Sequence, residues 1–314
     1  MSLAVVFPGQ GSQYVGMGQA LAEAFPESRA TFDEADAALG FPLSRLCFEG
    51  PEDELRLTAN TQPAILTTSI AAYRALAARD IRPAWVAGHS LGEYSALVAA
   101  GALSLGDAVA AVRRRGQYMQ EAVSVGQGAM AAILGLDLGA IEGACAEAAL
   151  GEVVSPANIN APGQVVIAGH VGAVERASAL CKAAGAKRVV PLPVSAPFHC
   201  ALMRPVQERM EKDLAAIPFR DPDPPLVNNV DARPVRTASE CREGLVRQVV
   251  APVRWHESVE RLVAEGASTF LEVGPGSVLY GLVKKIARQV RATNVEDPKS
   301  LEGALTLLAS GGGA

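Results

Sequence analysis

The pentapeptide Gly-His-Ser-Leu-Gly at residues 88–92 constrains the fold more than any other part of this 314-residue chain. It follows a short apolar run at residues 84–87 and precedes a helical pattern over residues 93–100. The order is therefore strand, sharp turn and helix, with Ser90 at the turn, which is typical of a nucleophile elbow. Flanking glycines allow a tight bend and a close approach of neighbouring chain. The N–H groups at the start of the helix can then stabilise a developing oxyanion.

A purely structural interpretation of the same segment is also open. Ser90 would then cap the following helix, and Glu93, three residues later, would complete a capping box. Glu93 itself is predicted to be an acid at the helix start that interacts favourably with the helix dipole, and not a catalytic group.

Composition and charge exclude several classes of protein. With 49% hydrophobic and 19% charged residues, the chain is typical of a folded globular protein. The net charge of −5 and the lack of a long basic run argue against nucleic-acid binding. No signal peptide is expected, because the N-terminus lacks a basic region and a long apolar run. No membrane span is expected, because no window reaches about 18 uninterrupted apolar residues. The five scattered cysteines contain no C-x-x-C pair, so neither zinc nor a disulfide framework is indicated.

Short strands alternate with helices along most of the chain, which predicts an α/β fold with a parallel sheet covered on both faces. The strands are expected at residues 3–7, 84–87, 226–228, 269–273 and 291–294. The helices are expected at residues 15–25, 61–78, 93–100, 104–123, 205–216, 239–250, 255–265 and 301–308, and from the loop at 274–276 to Arg288.

The middle of the chain follows a different order. Strands are expected at residues 129–134, 153–154, 165–168 and 187–192, with a loop at 158–163 and helices at 138–149 and 172–184. This order, βαββαβ, is the ferredoxin-like pattern. We therefore predict a ferredoxin-like domain over residues 127–196, inserted into an α/β domain formed by residues 1–126 and 197–314. The glycine-rich end at residues 310–314 is expected to fray.

Residues 8–13, Pro-Gly-Gln-Gly-Ser-Gln, form a glycine-rich loop between a strand and a helix. Tyr14 stands where the dinucleotide motif G-x-G-x-x-G needs its third glycine, and Met17 follows Gly16 where a P-loop needs lysine. The loop is therefore expected to offer backbone N–H groups and amides to a polar intermediate.

A serine hydroxyl is a poor nucleophile without a base, and the chain has four histidines. His89 is adjacent to Ser90 and is expected to hold the turn by hydrogen bonding. His170 and His256 lie at predicted helix starts. His199 lies in a proline-containing loop that leaves the inserted domain, where loops often line active clefts. His199 and His256 remain the candidate bases, and no acid is marked as the third member of a triad.

Several motifs occur in order along almost the whole chain. They are residues 7–13, 88–93, 115–120, 160–164, Phe198-His199, Gln248 and residues 273–276. Together they resemble the malonyl-CoA:acyl carrier protein transacylases of fatty acid synthesis and the related acyltransferase domains of polyketide synthases.

The resemblance implies a role for each matching residue around Ser90. Ser90 would be the nucleophile and His199 its base, with the carbonyl of Gln248 orienting His199 in place of an acid. The backbone N–H groups of Gln10 and Leu91 would form the oxyanion hole.

The resemblance also implies that Arg115 binds the free malonyl carboxylate. The alternative is that residues 113–115 form a solvated basic face, since successive helical residues point about 100° apart and at most two enter a cleft. Phe198 resembles the residue of malonyl-selective polyketide domains, or packs as an ordinary cleft wall. Asn160 would help to hold His199 or the substrate.

The implied reaction is ping-pong transfer of malonyl from coenzyme A to Ser90, and then to the phosphopantetheine thiol of acyl carrier protein. The resemblance implies a hydrolase-like large domain and a monomer. The scattered cysteines favour a reduced, cytoplasmic compartment, and no bound cofactor or metal is expected. A serine hydrolase or thioesterase with the same dyad, and a non-catalytic interaction module, are the alternative hypotheses. The choice between fatty acid and polyketide synthesis stays open.

Overall fold

The computed structural model describes residues 2–124, 126–194 and 196–310. Of the end expected to fray, residues 311–314 lie outside these ranges, whereas the N–H of Ser310 donates to the carbonyl of Thr306 (3.1 Å). The strands are β1 (Ser2–Phe7), β2 (Trp85–Gly88), β3 (Gly128–Leu134), β4 (Val154–Ala161), β5 (Gln164–His170), β6 (Arg188–Pro191), β7 (Leu226–Val227), β8 (Pro234–Val235), β9 (Ala267–Val273) and β10 (Arg291–Val295).

Five of the helices in the described ranges lie between β1 and β2, and the others lie between later strands or after β10. In chain order the helices are α1 (Gln19–Ala24), α2 (Pro26–Leu39), α3 (Leu43–Glu49), α4 (Glu52–Arg56), α5 (Thr58–Ala77), α6 (Gly92–Ala99), α7 (Leu105–Glu121), α8 (Leu138–Ala149), α9 (Val171–Ala183), α10 (Arg204–Ala215), α11 (Ala238–Gln248), α12 (Trp255–Ala264), α13 (Val278–Ile286) and α14 (Pro298–Ala309). Within the described part of the chain, no helix combines the length and the apolar character that crossing a bilayer would require.

The larger sheet has the strand order β10-β9-β1-β2-β7-β8. The first five strands are parallel, and β8 pairs antiparallel with β7. The prediction of a purely parallel sheet is therefore wrong at this edge. Only six residues connect β7 to β8, and so short a connection permits an antiparallel hairpin but not a parallel crossover.

The second sheet is antiparallel throughout and has the order β4-β5-β3-β6. Helices α8 and α9 pack against it around buried Ile133, Ile141 and Ile167. Strand β4 is longer than expected, because residues 158–161 are extended and only Pro162 and Gly163 remain as the turn. These residues pair with β5 on one side, and on the other the N–H of Ile159 donates to the carbonyl of Val253 (2.9 Å), which lies outside this sheet.

Two helices begin elsewhere than the sequence pattern predicts. Helix α1 is only six residues long, since Gly16 and Gly18 have φ values of 100° and 79° that hold the preceding residues in turns. Helix α5 begins at Thr58, so Pro63 lies inside it and not in its first turn. The carbonyl of Ala59, which Pro63 cannot bond, accepts a hydrogen bond from Arg113 Nη1 (3.3 Å).

Helix α7 begins as the sequence predicts. Ser104 is its N-cap, and the Ser104 side chain accepts a hydrogen bond from the N–H of Asp107. The helix buries one face that includes Val109, Val112 and Arg115. This face places an arginine inside the protein.

Candidate active site

The turn between β2 and α6 depends on both glycines of the pentapeptide. A Cβ atom at Gly88 would lie 1.9 Å from the backbone carbon of Gly92, and one at Gly92 would lie 2.1 Å from the carbonyl oxygen of Phe7. Ser90 has a φ of 53°, in the left-handed region. The strand, turn and helix therefore pack so closely that Ser90 is held at a sharp corner beside the end of β1.

The structure brings His199, and not His256, to Ser90. The Oγ atom of Ser90 lies 2.7 Å from Nε2 of His199, and Nδ1 of His199 lies 2.9 Å from the carbonyl oxygen of Gln248. Because a carbonyl only accepts, Nδ1 carries the proton and Nε2 is left to accept from the serine hydroxyl. His256 instead contacts Glu260 on α12 at 3.2 Å.

The environment keeps His199 neutral. Its side chain is buried, and this burial, together with the nearby Arg115 cation, lowers its pKa from 6.5 to about 3. A neutral imidazole at physiological pH is able to take up a proton. His199 therefore has the protonation state that a general base requires.

Arg115 points into the protein from α7 and is only 2% exposed. Its guanidinium donates to Oε1 of Gln62 (2.7 Å), Oε1 of Gln248 (3.0 Å) and Oγ of Ser90 (3.2 Å). Its neighbours on the helix face elsewhere: Arg113 bonds to the α5 region, and Arg114 pairs with an acid of α10. Of residues 113–115, only Arg115 therefore reaches Ser90, as helical spacing permits.

A cavity of about 80 Å³ opens over Ser90, and Gln10 and Leu91 line it. Among the described residues, neither the backbone N–H of Gln10 nor that of Leu91 has a hydrogen-bond partner. Phe198 lines the same cavity and packs against two apolar clusters, as a cleft wall does. Two larger cavities, of 550 and 310 Å³, share Gln10 with it.

Asn160 does not hold His199, so that part of its prediction is wrong. Strand β4 carries Asn160 to the other side of the turn, where its Oδ1 lies 2.8 Å from Nε2 of His89. Asn160 also lines the 310 Å³ cavity. His89 makes the hydrogen bond that was expected of it, and burial lowers its pKa.

Glu93 lies in the first turn of α6, as predicted, but Ser90 is not the cap of this helix. The N-cap is Leu91, and it makes no side-chain capping bond. Glu93 is fully buried, and its Oε2 accepts from the N–H of Asn229 (3.0 Å) and from Nε2 of Gln248 (2.9 Å). Burial raises the pKa of Glu93 to about 7.

Sequence analysis missed Asn229 and Gln62. Asn229 accepts from the N–H of Ser90 (2.7 Å) and donates to the carbonyl of Gly88 (2.7 Å), so it clamps the turn. A signal for it existed: Asn229 follows β7, and the carboxyl ends of adjacent parallel strands β2 and β7 lie at the same sheet edge. Among the described residues, no cluster of His, Cys, Asp and Glu has an arrangement that could hold a metal ion.

The chain is similar to known proteins along almost its whole length. The family model of the acyl transferase domain matches residues 4–302. The chain belongs to the acyl transferase family. It is 54% identical over 305 residues to the malonyl CoA-acyl carrier protein transacylase of Escherichia coli K12, covering 97% of this chain and 99% of that protein.

Solved structures of this family have the same fold. An acyl carrier protein S-malonyltransferase from Vibrio cholerae superposes with a TM-score of 0.95 at 50% identity, over 97% of this chain and 100% of the other. A malonyl-transacylase solved with a holo type II polyketide acyl carrier protein gives the same TM-score of 0.95 and identity of 50%, over 98% and 100%. These relatives do not favour the alternative of a serine hydrolase.

Proposed function

We propose that this chain transfers malonyl groups from coenzyme A to acyl carrier protein through an ester on Ser90. The observation that carries the proposal is the buried Arg115 guanidinium, 3.2 Å from the Ser90 hydroxyl. A cation in that position can pair with the free carboxylate of a malonyl group while its thioester lies at Ser90. The full-length similarity to malonyl transacylases supports the same substrate.

In the first half-reaction, Oγ of Ser90 attacks the thioester carbon and Nε2 of His199 takes the hydroxyl proton. The carbonyl of Gln248 stabilises the imidazolium that forms. In a catalytic triad, an acidic side chain has this role. The N–H groups of Gln10 and Leu91 are the donors for the tetrahedral oxyanion. Coenzyme A leaves as its thiol with the proton from His199, and malonyl-Ser90 remains.

In the second half-reaction, His199 takes the proton of the phosphopantetheine thiol of acyl carrier protein, and the sulfur attacks the ester carbon of malonyl-Ser90. The bond to Oγ of Ser90 then breaks, and Oγ takes the proton back from His199. The two larger cavities that meet at Gln10 have room for a long, thin thiol arm. The structure of a related transacylase in complex with an acyl carrier protein supports the same kind of partner here.

Selectivity follows from the charge of Arg115. A malonyl carboxylate that leaves water needs a cation, which Arg115 supplies, whereas an acetyl group gains nothing from it. Asn160 and Phe198 are proposed to shape the adjoining walls. One methyl group is discriminated by only about 1–3 kcal/mol, so Phe198 would give a modest preference against methylmalonyl.

We assign the small unit to residues 127–196 as a ferredoxin-like domain, and residues 1–126 and 197–314 to a hydrolase-like domain. The antiparallel order β4-β5-β3-β6 with two helices on one face supports the first assignment. The parallel strands with Ser90 at a strand–turn–helix corner support the second. A cytoplasmic monomer that needs no bound cofactor or metal completes the proposal.

The test is the intact mass of the protein after incubation with malonyl-CoA or acetyl-CoA, followed by addition of holo acyl carrier protein. We expect a malonyl adduct that Ser90→Ala abolishes and that moves to the carrier. Arg115→Met should slow malonyl loading by about 30-fold or more, since loss of one partner of a buried charge pair costs about 2–5 kcal/mol.

Arg114→Met is the matched control, because Arg114 pairs with Asp213 away from the cavity and should leave loading unchanged. Consumption of thioester without a lasting adduct or a loaded carrier would contradict transfer and indicate hydrolysis. Equal rates of loading of Ser90 from malonyl-CoA and acetyl-CoA would contradict the proposed role of Arg115 in binding the malonyl carboxylate.

A further inference from the structure

Glu93 is a fully buried acid that does not line the cavity over Ser90. It lies in the first turn of α6, three residues after Ser90, and none of the steps described above uses it. Its Oε2 atom accepts two hydrogen bonds, from Nε2 of Gln248 and from the N–H of Asn229. Burying a carboxylate costs free energy unless its contacts compensate for the lost hydration, and these two hydrogen bonds provide that compensation.

Gln248 connects Glu93 to Arg115. Its Nε2 donates to Glu93 (2.9 Å) and also lies 3.0 Å from the carbonyl of Ser90 and 3.3 Å from Oδ1 of Asn229. Its Oε1 accepts from Nη2 of Arg115 at 3.0 Å. The bond to Glu93 is the shortest of the three that Nε2 makes.

The two ends of the Gln248 amide are not equivalent. If the amide were turned over, its NH₂ group would face the Arg115 guanidinium, which has only donors, and its oxygen would face the Glu93 carboxylate. Glu93 therefore acts together with the carbonyl of Ser90 and Oδ1 of Asn229 to fix which end of Gln248 faces Arg115. The same nitrogen of Arg115 that Gln248 holds also reaches Ser90 Oγ, so the orientation of Gln248 sets where the guanidinium lies relative to the nucleophile.

We propose that Glu93 is a positioning residue for acyl-group selection, which acts through Gln248 to hold Arg115 beside Ser90. It touches neither the substrate nor the reacting atoms. This inference rests on the proposed function, because it explains how the enzyme prefers a carboxylated acyl group.

The test compares the rates at which malonyl-CoA and acetyl-CoA acylate Ser90, measured by rapid quench and intact mass on one preparation of each variant. The ratio of the two rates does not depend on the fraction of folded protein. In Glu93→Ala the ratio should fall by about tenfold, because Nε2 of Gln248 loses its shortest hydrogen bond. Glu93→Gln keeps an acceptor oxygen for Gln248 and Asn229, and its ratio should stay within about twofold of wild type.

Glu272→Ala is the matched control. Glu272 is another buried acid, 1% exposed, but it bonds to the N-terminus of α13 and has no contact with Gln248. Its removal should lower stability and leave the ratio unchanged. If both rates fall together in Glu93→Ala with the ratio intact, Glu93 is only structural and the inference is overturned.

If Glu93→Gln behaves like Glu93→Ala, the charge and not the acceptor matters, which also overturns the inference. A wild-type chain with no malonyl preference would overturn the proposed function and this inference together. A wild-type preference that Glu93→Ala retains would overturn this inference alone.

Discussion

The two residues that meet at the centre of the site both have unusual backbone conformations. Ser90 and His199 have φ values of 53° and 59°, a region that costs an L-residue about 1–2 kcal/mol. Asn229 holds the Ser90 turn from both sides through the N–H of Ser90 and the carbonyl of Gly88. Side chains that lie far apart in the sequence thus keep Ser90 Oγ 2.7 Å from His199.

The pH dependence of acylation tests the protonation state of His199. Burial and the Arg115 cation hold its pKa at about 3, so we expect acylation by an uncharged ester such as p-nitrophenyl acetate to persist well below pH 6.5. In Arg115→Met the second cause is removed, so the pKa rises and the acid limb of kcat/KM moves to higher pH. A pH profile of kcat/KM checks both, and Arg114→Met should not move the limb.

The same pKa has a consequence for stability. Unfolded His199 takes up a proton below about 6.5, whereas the native residue resists it down to about 3, so the unfolded state binds more protons in that window. The contribution of His199 to stability is therefore complete above pH 6.5 and is lost as the pH falls towards 3.

A wild-type profile of kcat/KM whose acid limb lies at or above pH 6.5 would contradict this account of the environment of His199.

The sequence indicates some of these residues and not others for a physical reason. Ser90 and its glycines form a contiguous motif, so local geometry identifies them. Asn229 bonds to Ser90 from 139 positions along the chain, and its place after a predicted strand is the one sequence feature that marks it. Glu93 is within the motif, but only the packing of α11 and β7 around it shows that it is buried and accepts from Gln248 and Asn229.

The bounds of the helices and strands were likewise predictable where local sequence signals set them, and not where tertiary contacts did. Helix α8 has the predicted bounds because its apolar spacing and ends are local signals. Strand β4 is longer than predicted because its second half pairs with β5 and also with Val253, which lies far along the chain. Helix α5 accommodates Pro63 because Arg113, from a neighbouring helix, bonds the freed carbonyl. A single-sequence pattern contains none of these partners.

The packing of β1, β2 and α6 gives a prediction about one glycine. In Gly92→Ala the new Cβ would lie 2.1 Å from the backbone oxygen of Phe7, and a backbone neighbour cannot move aside as a flexible side chain can. We expect the free energy of unfolding to fall by more than about 3 kcal/mol, with loss of activity in the folded fraction. Urea denaturation measures the first, and active-site acylation the second.

Gly143→Ala is the matched control for that substitution. Gly143 lies inside α8, and a Cβ there meets nothing within 4 Å. Alanine is the better helix former, so the free energy of unfolding should rise by about 0.5–1 kcal/mol. A Gly92→Ala protein as stable as wild type would show that the turn is not as tightly packed as these distances require.

The molecule as a whole places the candidate site where its two sheets come together. Gln10, Ser90 and Arg115 approach the cavity from the larger sheet and its helices, whereas Met130 and Asn158 approach from the smaller sheet. Each sheet has an apolar core of its own, and the hydrogen bonds between β4 and Val253 link the two. Substrate specificity can therefore depend on both units, while Ser90 and His199 depend mainly on the larger one.

Because the two sheets have separate apolar cores, we predict that the smaller sheet and its helices unfold locally without the larger sheet. Ile133 is fully buried in the core of the smaller sheet, and Ile133→Ala should remove about 2–5 kcal/mol from the stability of that core. We expect hydrogen exchange to speed up at the amides of β3, β5 and β6 while those of β1 and β9 keep their protection, because cooperative units open independently. Hydrogen–deuterium exchange read by mass spectrometry of peptides measures this directly.

The reciprocal variant makes the comparison decisive. Leu271 is fully buried in the larger core, and Leu271→Ala should speed up exchange at β1 and β9. If Ile133→Ala instead speeds up exchange equally in both sheets, the contacts of β4 with Val253 join the chain into one cooperative unit. Residues 127–196 would then be an insertion by topology only, and a change anywhere in the smaller sheet would act on Ser90 through global stability and not through the cavity wall.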